Sequence, residues 1–191
     1  MQRGPRTTFA EALLSPPYSR QVNEVRALLL NGTVGAGKTA VAGALGDALS
    51  EAGVPHAVLD VDWLRRSWPS PPDDPFNTGM ALRNLTAVTH NYLDAGVRRL
   101  VLAGVLENSA ERAAYQAAVG VDLTVCRLQA NLNTVRDRLL HREQFNPDRF
   151  LTRAGELDRI LREAGIDDAV VDASTGSPRT VAEAVLSAVG W

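Results

Sequence analysis

A glycine-rich turn lies between a short apolar segment and an amphipathic one. Residues 26–30 (RALLL) are predicted to form a β-strand, residues 32–39 read GTVGAGKT, and residues 41, 45 and 49 are apolar at helical spacing. A strand that enters a helix through a tight loop is typical of α/β folds with a parallel sheet. The turn itself matches the pattern GxxxxGK(S/T), whose backbone N–H groups surround a phosphate group.

The residues of this turn have distinct predicted roles toward a bound nucleotide. Its glycines allow consecutive N–H groups to face an anion, and the following helix adds the positive end of its dipole. Lys38, the only lysine, is expected to reach the β- and γ-phosphate oxygens during catalysis, and the Thr39 hydroxyl to bind Mg²⁺. A glycine turn with a helix-capping lysine is the alternative. The predicted nucleotide-binding residues of the turn are Gly32, Thr33, Val34, Gly35, Ala36, Gly37, Lys38 and Thr39.

The rest of the chain alternates between strand patterns and helical patterns. Parallel strands covered by helices on both faces are almost continuously apolar, and each crossover needs a helix-length connection. We therefore expect a five-stranded, mostly parallel sheet between two helical layers. The further predicted strands are residues 56–61, 99–106, 122–128 and 169–171. The further predicted helices are residues 82–96, 110–118, 134–142, 153–164 and one that follows Pro178.

The length of 191 residues and the hydrophobic content of 45% suit one globular domain with a buried core. Residues 1–24 contain scattered glycine and proline and no sustained hydrophobic period. They are therefore predicted to be an irregular N-terminal extension of a domain that spans residues 25–191. Residues 67–77 contain four prolines, which predicts a surface loop.

The net charge and the cysteine content restrict which binding partners and which cellular compartment are expected. The formal net charge is −2, which argues against broad attraction to nucleic acid or anionic lipid and favours a small polar ligand. No apolar stretch approaches the roughly 18 residues of a membrane span. Cys126 is the single cysteine and cannot form an internal disulfide, and residues 1–24 lack the apolar core of a secretory signal. We therefore expect a cytoplasmic monomer or homodimer without a membrane or nucleic-acid partner.

The end of the third predicted strand lacks a residue that many phosphate-loop ATPases use to hold a metal ion. Ala103 and Gly104 stand where those proteins carry an aspartate. The guanine-binding motif NKxD is excluded as well, because the single lysine already belongs to the glycine-rich turn. Motor ATPases and signalling GTPases are therefore disfavoured, and small kinases remain.

Three segments carry a resemblance to small-molecule kinases with a phosphate loop. Residues 59–65 (LDVDWLR) resemble the LDxDxxR stretch of adenylylsulfate kinases and the VDxL stretch of chloramphenicol phosphotransferases. Residues 127–130 (RLQA) and 135–143 (VRDRLLHRE) resemble the strand and the RLxxRE lid entry of these enzymes and of gluconate kinases. The resemblance implies a three-layer α/β fold of the P-loop NTPase type, with strand order 2-3-1-4-5 and a helical lid. It also implies ATP and Mg²⁺ as cofactors and a hydroxyl acceptor near the end of the second strand.

Asp60 and Asp62 lie at the carboxyl end of the second predicted strand, where open parallel sheets bind ligands. In an extended chain they share one face, roughly 7 Å apart. One carboxylate can accept the proton of an acceptor hydroxyl, and the other can order a magnesium-bound water or the substrate. The resemblance implies that Asp62 is the catalytic base. The alternative is that one aspartate caps a helix that starts at Trp63.

Side chains around the proline-rich loop are predicted to contact the acceptor. In related kinases this region shapes the acceptor pocket, and a mixed aromatic and polar acceptor would suit Trp63, Trp68, Phe76, Arg83 and Asn84. Ordinary packing of each aromatic ring over the sheet edge is the alternative. The predicted substrate-binding residues are Asp60, Asp62, Trp63, Arg65 and Arg83.

Arg138 and Arg142 stand four residues apart on one predicted helical face. Both guanidinium groups can therefore face one anionic target and neutralise charge on the γ-phosphoryl group. They are predicted catalytic residues, and Arg138 is also a predicted nucleotide contact. Surface ion pairs with neighbouring acids are the alternative. Residues 146–149 are predicted to interrupt the helices and form a lid, from which Arg149 or Arg153 would close over ATP.

The loop after the last predicted strand is expected to contact the nucleotide. Ser177 is predicted to cap the final helix, and Pro178 to occupy its first turn. Related kinases hold adenine with the backbone of this loop, which implies a nucleotide-binding role for Ser174.

These features predict an ATP-dependent phosphotransferase that moves the γ-phosphoryl group to a hydroxyl of a small molecule, such as an antibiotic, a nucleoside or a metabolite. The alternative is an ATP-binding resistance or regulatory protein that sequesters its ligand without efficient turnover. Loss of the Asp62 carboxylate should stop turnover in the first case and leave ligand binding intact in the second.

Overall fold

In residues 24–142 and 147–191, which the computed structural model describes, five parallel strands form one sheet in the order β2-β3-β1-β4-β5. The side chains of residues 142 and 147–149 are not described. The strand order implied by the resemblance is confirmed, and the carboxyl ends of the strands meet at one edge of the sheet. The strands are β1 (Arg26–Asn31), β2 (His56–Asp60), β3 (Arg99–Ala103), β4 (Asp122–Gln129) and β5 (Ala169–Asp172).

Helices cover both faces of the sheet. Over the described ranges they are α1 (Lys38–Glu51), α2 (Val61–Leu64), α3 (Thr78–Asp94), α4 (Ser109–Val119), α5 (Leu132–Arg142), α6 (Pro147–Ala164) and α7 (Pro178–Val189). Helices α1 and α7 pack against one face, and α3 and α4 pack against the other. This arrangement confirms the predicted three-layer α/β fold.

The apolar residues of β1 divide between the two faces of the sheet. Leu28 and Leu30 belong to the core beneath α1 and α7, whereas Ala27 and Leu29 belong to the core beneath α3 and α4. All four side chains are fully buried. The two-residue period of a strand produces this alternation, which explains why a strand buried on both faces reads as a continuous apolar run.

Cys126 lies within β4 and is fully buried. Burial, with a smaller effect from the charge of Asp167, raises the pKa of its thiol to about 12. Because the thiolate is the reactive form, the native protein is expected not to react with a disulfide reagent at pH 8. After unfolding in denaturant, the single thiol of each chain should react at an ordinary rate. Rapid modification of the folded protein would contradict this burial.

Strand β3 ends at Ala103, before its predicted end at Leu106. The side-chain amide of Asn31 takes the place of a neighbouring strand at Leu106. Its Oδ1 accepts from the Leu106 N–H at 3.1 Å, and its Nδ2 donates to the Leu106 carbonyl oxygen at 3.1 Å. A local sequence pattern cannot show a contact between residues 75 positions apart.

The short helix α2 follows β2 directly, where the strand was predicted to continue to residue 61. Asp60 is its N-cap, and Oδ1 of Asp60 accepts from the Asp62 N–H at 3.1 Å. The expectation that Asp60 and Asp62 share one face of an extended chain is therefore wrong, since Asp62 already belongs to the helix. An aspartate cap does occur, but the helix that it caps begins at Val61 rather than Trp63.

The proline-rich stretch between α2 and α3 is a loop, as predicted, and its residues are mostly exposed. Helix α6 begins at Pro147, earlier than the predicted start at Arg153, so the prediction that residues 147–149 interrupt the helices is wrong. Proline is favoured in the first turn of a helix, where its missing N–H costs nothing. Of the predicted lid segment, Asn146 lies outside the described residues, as do residues 1–23 of the predicted extension. No helix in the described part of the chain is long and apolar enough to cross a membrane.

Candidate active site

The glycine-rich turn forms a tight loop between β1 and α1. Gly32, Gly35 and Gly37 have φ values of 141°, 78° and 98°, and Gly37 is the N-cap of α1. A Cβ atom on Gly32 would lie 2.7 Å from the carbonyl oxygen of Leu128, so only glycine fits there without a backbone shift. The loop therefore has a conformation that other residues resist and that an anion cradle requires.

A buried polar network fixes the point at which this loop begins. Asn31 is fully buried, and its Oδ1 accepts from the Gly32 N–H at 2.9 Å while its Nδ2 donates to Oδ1 of Asp167 at 3.2 Å. Oδ2 of Asp167 lies 2.6 Å from Nε of Arg127 on β4, and the two side chains are 5% and 11% exposed. Asn31 is a polar residue at the end of an otherwise apolar strand. This is a sequence signal that could have predicted the network, but the network was not predicted.

Asp167→Ala is expected to destabilise the protein by about 3–5 kcal/mol, because Arg127 remains buried without its partner. Urea unfolding followed by circular dichroism measures the change. Glu163→Ala removes one partner of an exposed ion pair with Arg159 and is the matched control. The control should change the unfolding free energy by at most about 1 kcal/mol. Equal effects of the two substitutions would contradict the structural role of Asp167.

Lys38 and Thr39 occupy the first turn of α1 and contact the glycine-rich loop and β2. The Lys38 ammonium donates to the carbonyl oxygens of Gly32 and Thr33 at 2.8 and 2.9 Å. The Thr39 hydroxyl donates to Oδ2 of Asp60 at 2.8 Å. The carboxyl end of β2 is thereby joined to the start of α1.

A cleft of about 630 Å³ extends from this loop to α4 and is bordered by α6. Four acidic and four basic side chains line it, so it suits a polar ligand. Of the predicted site residues, the cleft brings together Val34, Gly35, Gly37, Lys38, Thr39, Asp60, Asp62, Trp63 and Arg65. Charged and hydroxyl groups that were not predicted as site residues also line it, and these are Arg66, Thr78, Glu107, Glu111 and Tyr115.

Asp62, Arg65 and Tyr115 form one group in this cleft. Oδ1 of Asp62 lies 3.6 Å from Nε of Arg65, and the Asp62 side chain is 67% exposed. A terminal nitrogen of Arg65 lies 3.4 Å from the hydroxyl of Tyr115. Burial raises the pKa of Tyr115, so the phenol stays protonated and can donate a hydrogen bond. The helical spacing of Tyr115 is that of a core residue, which is why its place in the cleft could not be predicted.

Helices α5 and α6 rest on the glycine-rich loop through a small hydrophobic cluster. Val135 and Leu139 of α5 and Ala154 of α6 are buried together, and Val34 of the loop packs against them. Arg153 of α6 lines the cleft and forms an ion pair with Glu107, which follows β3. The two helices therefore pack on the glycine-rich loop, and α6 borders the cleft, while their action as a lid stays a prediction.

Arg138 lies beside the loop but does not line the cleft. Its guanidinium donates to the carbonyl oxygens of Ala36 and Ala173 at 3.1 and 2.8 Å. Ser174 follows Ala173, and its hydroxyl accepts from the Asn131 N–H at 3.0 Å. Arg138 thus joins the glycine-rich loop to the loop that carries Ser174, so two predicted nucleotide contacts lie close together.

Of three further predicted residues, two do not line the cleft and the side chain of the third is not described. Arg83 is exposed on α3 and does not line the cleft. Arg142 ends α5, and its side chain is not described, so its pairing with Arg138 at one target stays a prediction. Ser177 caps α7 by accepting from the Thr180 N–H at 3.2 Å, as predicted.

Solved structures, several of small-molecule kinases, resemble this chain. No protein-family model and no curated protein matches it. The tunicamycin resistance protein of Deinococcus radiodurans has a TM-score of 0.63 and 21% identity, covering 87% of this chain and 96% of its own. The APS kinase of Mycobacterium tuberculosis, in complex with AMPPNP and APS, has a TM-score of 0.56 and 23% identity, covering 88% and 99%. The gluconokinase of Sinorhizobium meliloti 1021 has a TM-score of 0.58 and 16% identity, covering 88% and 93%.

These similarities span almost the whole of each compared structure. They show that the chain has the α/β fold of the P-loop small-molecule kinases, as the resemblance of its motifs implied. The reaction and the acceptor are a separate question, because one fold hosts many chemistries and function depends on the site.

Proposed function

We propose that the protein is an ATP-dependent phosphotransferase that moves the γ-phosphoryl group to a hydroxyl of a small molecule. The observation that carries the proposal is the placement of Lys38, Thr39, Asp60 and Asp62 around one cleft at the carboxyl edge of the sheet. Phosphoryl transfer needs these groups: a cation at the phosphates, a hydroxyl for magnesium and a carboxylate for the acceptor. The kinase fold supports the same class of reaction.

The glycine-rich loop fits a triphosphate, because its positive-φ glycines turn the backbone into a cradle at the N-terminus of α1. ATP would supply the γ-phosphoryl group, and Mg²⁺ would neutralise charge on the phosphate oxygens. The Lys38 ammonium lies at this loop and would hold phosphate oxygens. The Thr39 hydroxyl would be the protein's ligand to magnesium.

Asp60 is proposed to act together with Thr39 at the magnesium site. Both of its carboxylate oxygens are engaged, one with the Thr39 hydroxyl and the other with the Asp62 N–H. These bonds orient Thr39, and they leave Asp60 poorly placed to receive a proton. Of the two roles open to the aspartate pair, Asp60 therefore suits the ordering of Thr39 and of a magnesium-bound water.

Asp62 is the proposed catalytic base. Its carboxylate is 67% exposed in the cleft, so an acceptor hydroxyl can reach it. The hydroxyl oxygen of the acceptor bonds to the γ-phosphorus while the bond from that phosphorus to the bridging oxygen breaks. The hydroxyl proton passes to Asp62, and the products are a phosphate ester and ADP.

Three arginines are proposed to complete the site. Arg138 suits nucleotide binding, because it fastens the glycine-rich loop to the loop that carries Ser174. Arg153 lines the cleft, and with Arg142 it is a candidate for neutralising charge on the transferred group.

Formation of ADP in a coupled assay tests the proposal. The protein is incubated with Mg-ATP and a panel of sugar acids, nucleosides and hydroxylated antibiotics. At least one acceptor should raise ADP formation clearly above the rate without acceptor, and mass spectrometry should show one added phosphoryl group on that compound. Binding of ATP without ADP formation for any acceptor would contradict transfer and favour ligand sequestration.

A further inference from the structure

Three large aromatic side chains are exposed on α2 and the loop that follows it. Trp63 is 67% exposed, Phe76 75% and Trp68 93%, so the alternative of ordinary packing at the sheet edge is wrong for all three. Apolar surface of this size is unfavourable in water, and contiguous patches of it mark binding sites. We call Trp63, Trp68 and Phe76 the aromatic rim.

Trp63 connects the aromatic rim to the cleft. It follows Asp62 on α2, and both residues line the cleft together with Arg65. The guanidinium of Arg66 lies 4.4 Å from the centre of the Trp63 ring, a cation–π contact that holds the indole in place. The rest of the indole surface remains open to a ligand.

Asn77 holds the other two members of the rim close to α2. Its side-chain amide donates to the carbonyl oxygens of Arg65 and Ser67 at 3.0 and 3.1 Å, and Asn77 is 4% exposed. Trp68 follows Ser67 in the chain and Phe76 precedes Asn77, so the backbone of both aromatic residues is tied to the end of α2. Trp63 of α2 lines the cleft, and Trp68 and Phe76 are exposed in the adjoining loop.

Arg65 places a guanidinium beside the proposed base. Its Nε is buried and lies 3.6 Å from Oδ1 of Asp62, so a ligand does not reach that nitrogen. The Arg65 side chain as a whole is 29% exposed and lines the cleft, so the guanidinium can donate a hydrogen bond to an oxygen atom of a ligand there. Such an oxygen would lie close to the proposed base.

We propose that the acceptor carries a flat apolar ring, which lies on the aromatic rim while its reactive hydroxyl meets Asp62. This inference rests on the proposed function and names its substrate class: hydroxylated aryl or heteroaryl compounds with a further oxygen near the reactive hydroxyl. That oxygen accepts from the guanidinium of Arg65. Fully polar acceptors such as sugar acids are disfavoured, because they would leave the aromatic rim in water.

Matched pairs of ligands that differ only in a ring test the proposal. The pairs are methyl and phenyl β-glucoside, and lactate and 3-phenyllactate, each titrated into the full chain with saturating Mg-AMPPNP. Acrylamide quenching of tryptophan fluorescence is the readout. Trp191 is 4% exposed, so quenching reports Trp63 and Trp68. In at least one pair, the compound with the ring should bind about tenfold more tightly and protect the fluorescence from acrylamide.

Variants of the aromatic rim provide the second measurement. Trp63→Ala should weaken binding of the ring-bearing compound about tenfold, leaving its bare partner and Mg-AMPPNP unaffected. Val170→Ala, which trims an exposed apolar side chain on β5, is the control and should change none of these affinities. Arg65→Gln should weaken 3-phenyllactate through loss of a donor, and Arg65→Lys should not restore the affinity.

Several results would overturn this inference. They are equal affinity within both pairs, no binding of either ring-bearing compound, or equal weakening of both members of a pair by Trp63→Ala. A concentration-dependent dimer that Trp63→Ala and Trp68→Ala abolish would also overturn it, because a second copy would then cover the rim. Ring-dependent binding without ADP formation has the opposite meaning: it would contradict phosphoryl transfer and leave the assignment of the rim intact.

Discussion

Lys38→Ala is expected to lower kcat/KM for ATP by about a thousandfold, because the only ammonium at the glycine-rich loop is lost. The affinity for Mg-ATP, measured by calorimetry, should fall as well. Lys38→Arg should not restore activity, since a planar guanidinium cannot take the place of a compact ammonium within a closed loop.

Lys38 also donates to the carbonyl oxygens of Gly32 and Thr33, so a structural effect of its loss must be separated from the functional one. Thermal unfolding of each variant measures that effect. Arg98→Ala removes an exposed cation just before β3, at the opposite edge of the sheet, and should leave nucleotide binding and turnover unchanged. Unaltered nucleotide affinity in Lys38→Ala would refute a phosphate cradle at this loop.

Asp62→Asn is expected to lower kcat by about 10²- to 10⁴-fold, because the acceptor hydroxyl loses its proton acceptor. The affinity for Mg-ATP should remain within about twofold, since Asp60 and Thr39, not Asp62, are placed at the proposed magnesium site. Single-turnover measurements of ADP formation, with calorimetry for ATP, separate the two quantities.

Asp47→Asn makes the same chemical change on an exposed position of α1 and is the matched control. It should leave both kcat and ATP affinity unchanged. A kcat for Asp62→Asn equal to that of the control would remove Asp62 from the role of base. Retained ligand binding with no turnover in the wild-type protein would favour sequestration.

Much of the fold could be predicted because its signals are local. An apolar run buried on both faces, a glycine-rich turn and a helical period together predicted β1, the loop and α1, and the same alternation predicted the other strands to within a few residues. Caps are local as well, which is why Ser177 and Pro178 were placed correctly at the start of α7.

One error arose where a distant residue competes with local preferences: Asn31 binds the backbone of Leu106, 75 positions away, and β3 ends early. A second error was local, because the cap formed by Asp60 converts a predicted strand end into α2, and the sequence offered both an extended strand and an aspartate cap at this point. The exposure of Trp68 was equally hidden, because an aromatic residue in a loop is more often packed than exposed.

By itself, the order of residues determined the glycine-rich loop, the parallel sheet and the carboxyl edge at which the cleft lies. These follow from glycine's conformational freedom, side-chain periodicity and chain connectivity, all of which act over a few residues. Only the tertiary structure decided that Tyr115 and Arg65 meet in the cleft, that Asp60 bonds Thr39, and that Arg138 holds the loop from outside. Such contacts depend on how helices pack across the sheet, because packing brings together side chains far apart in the chain.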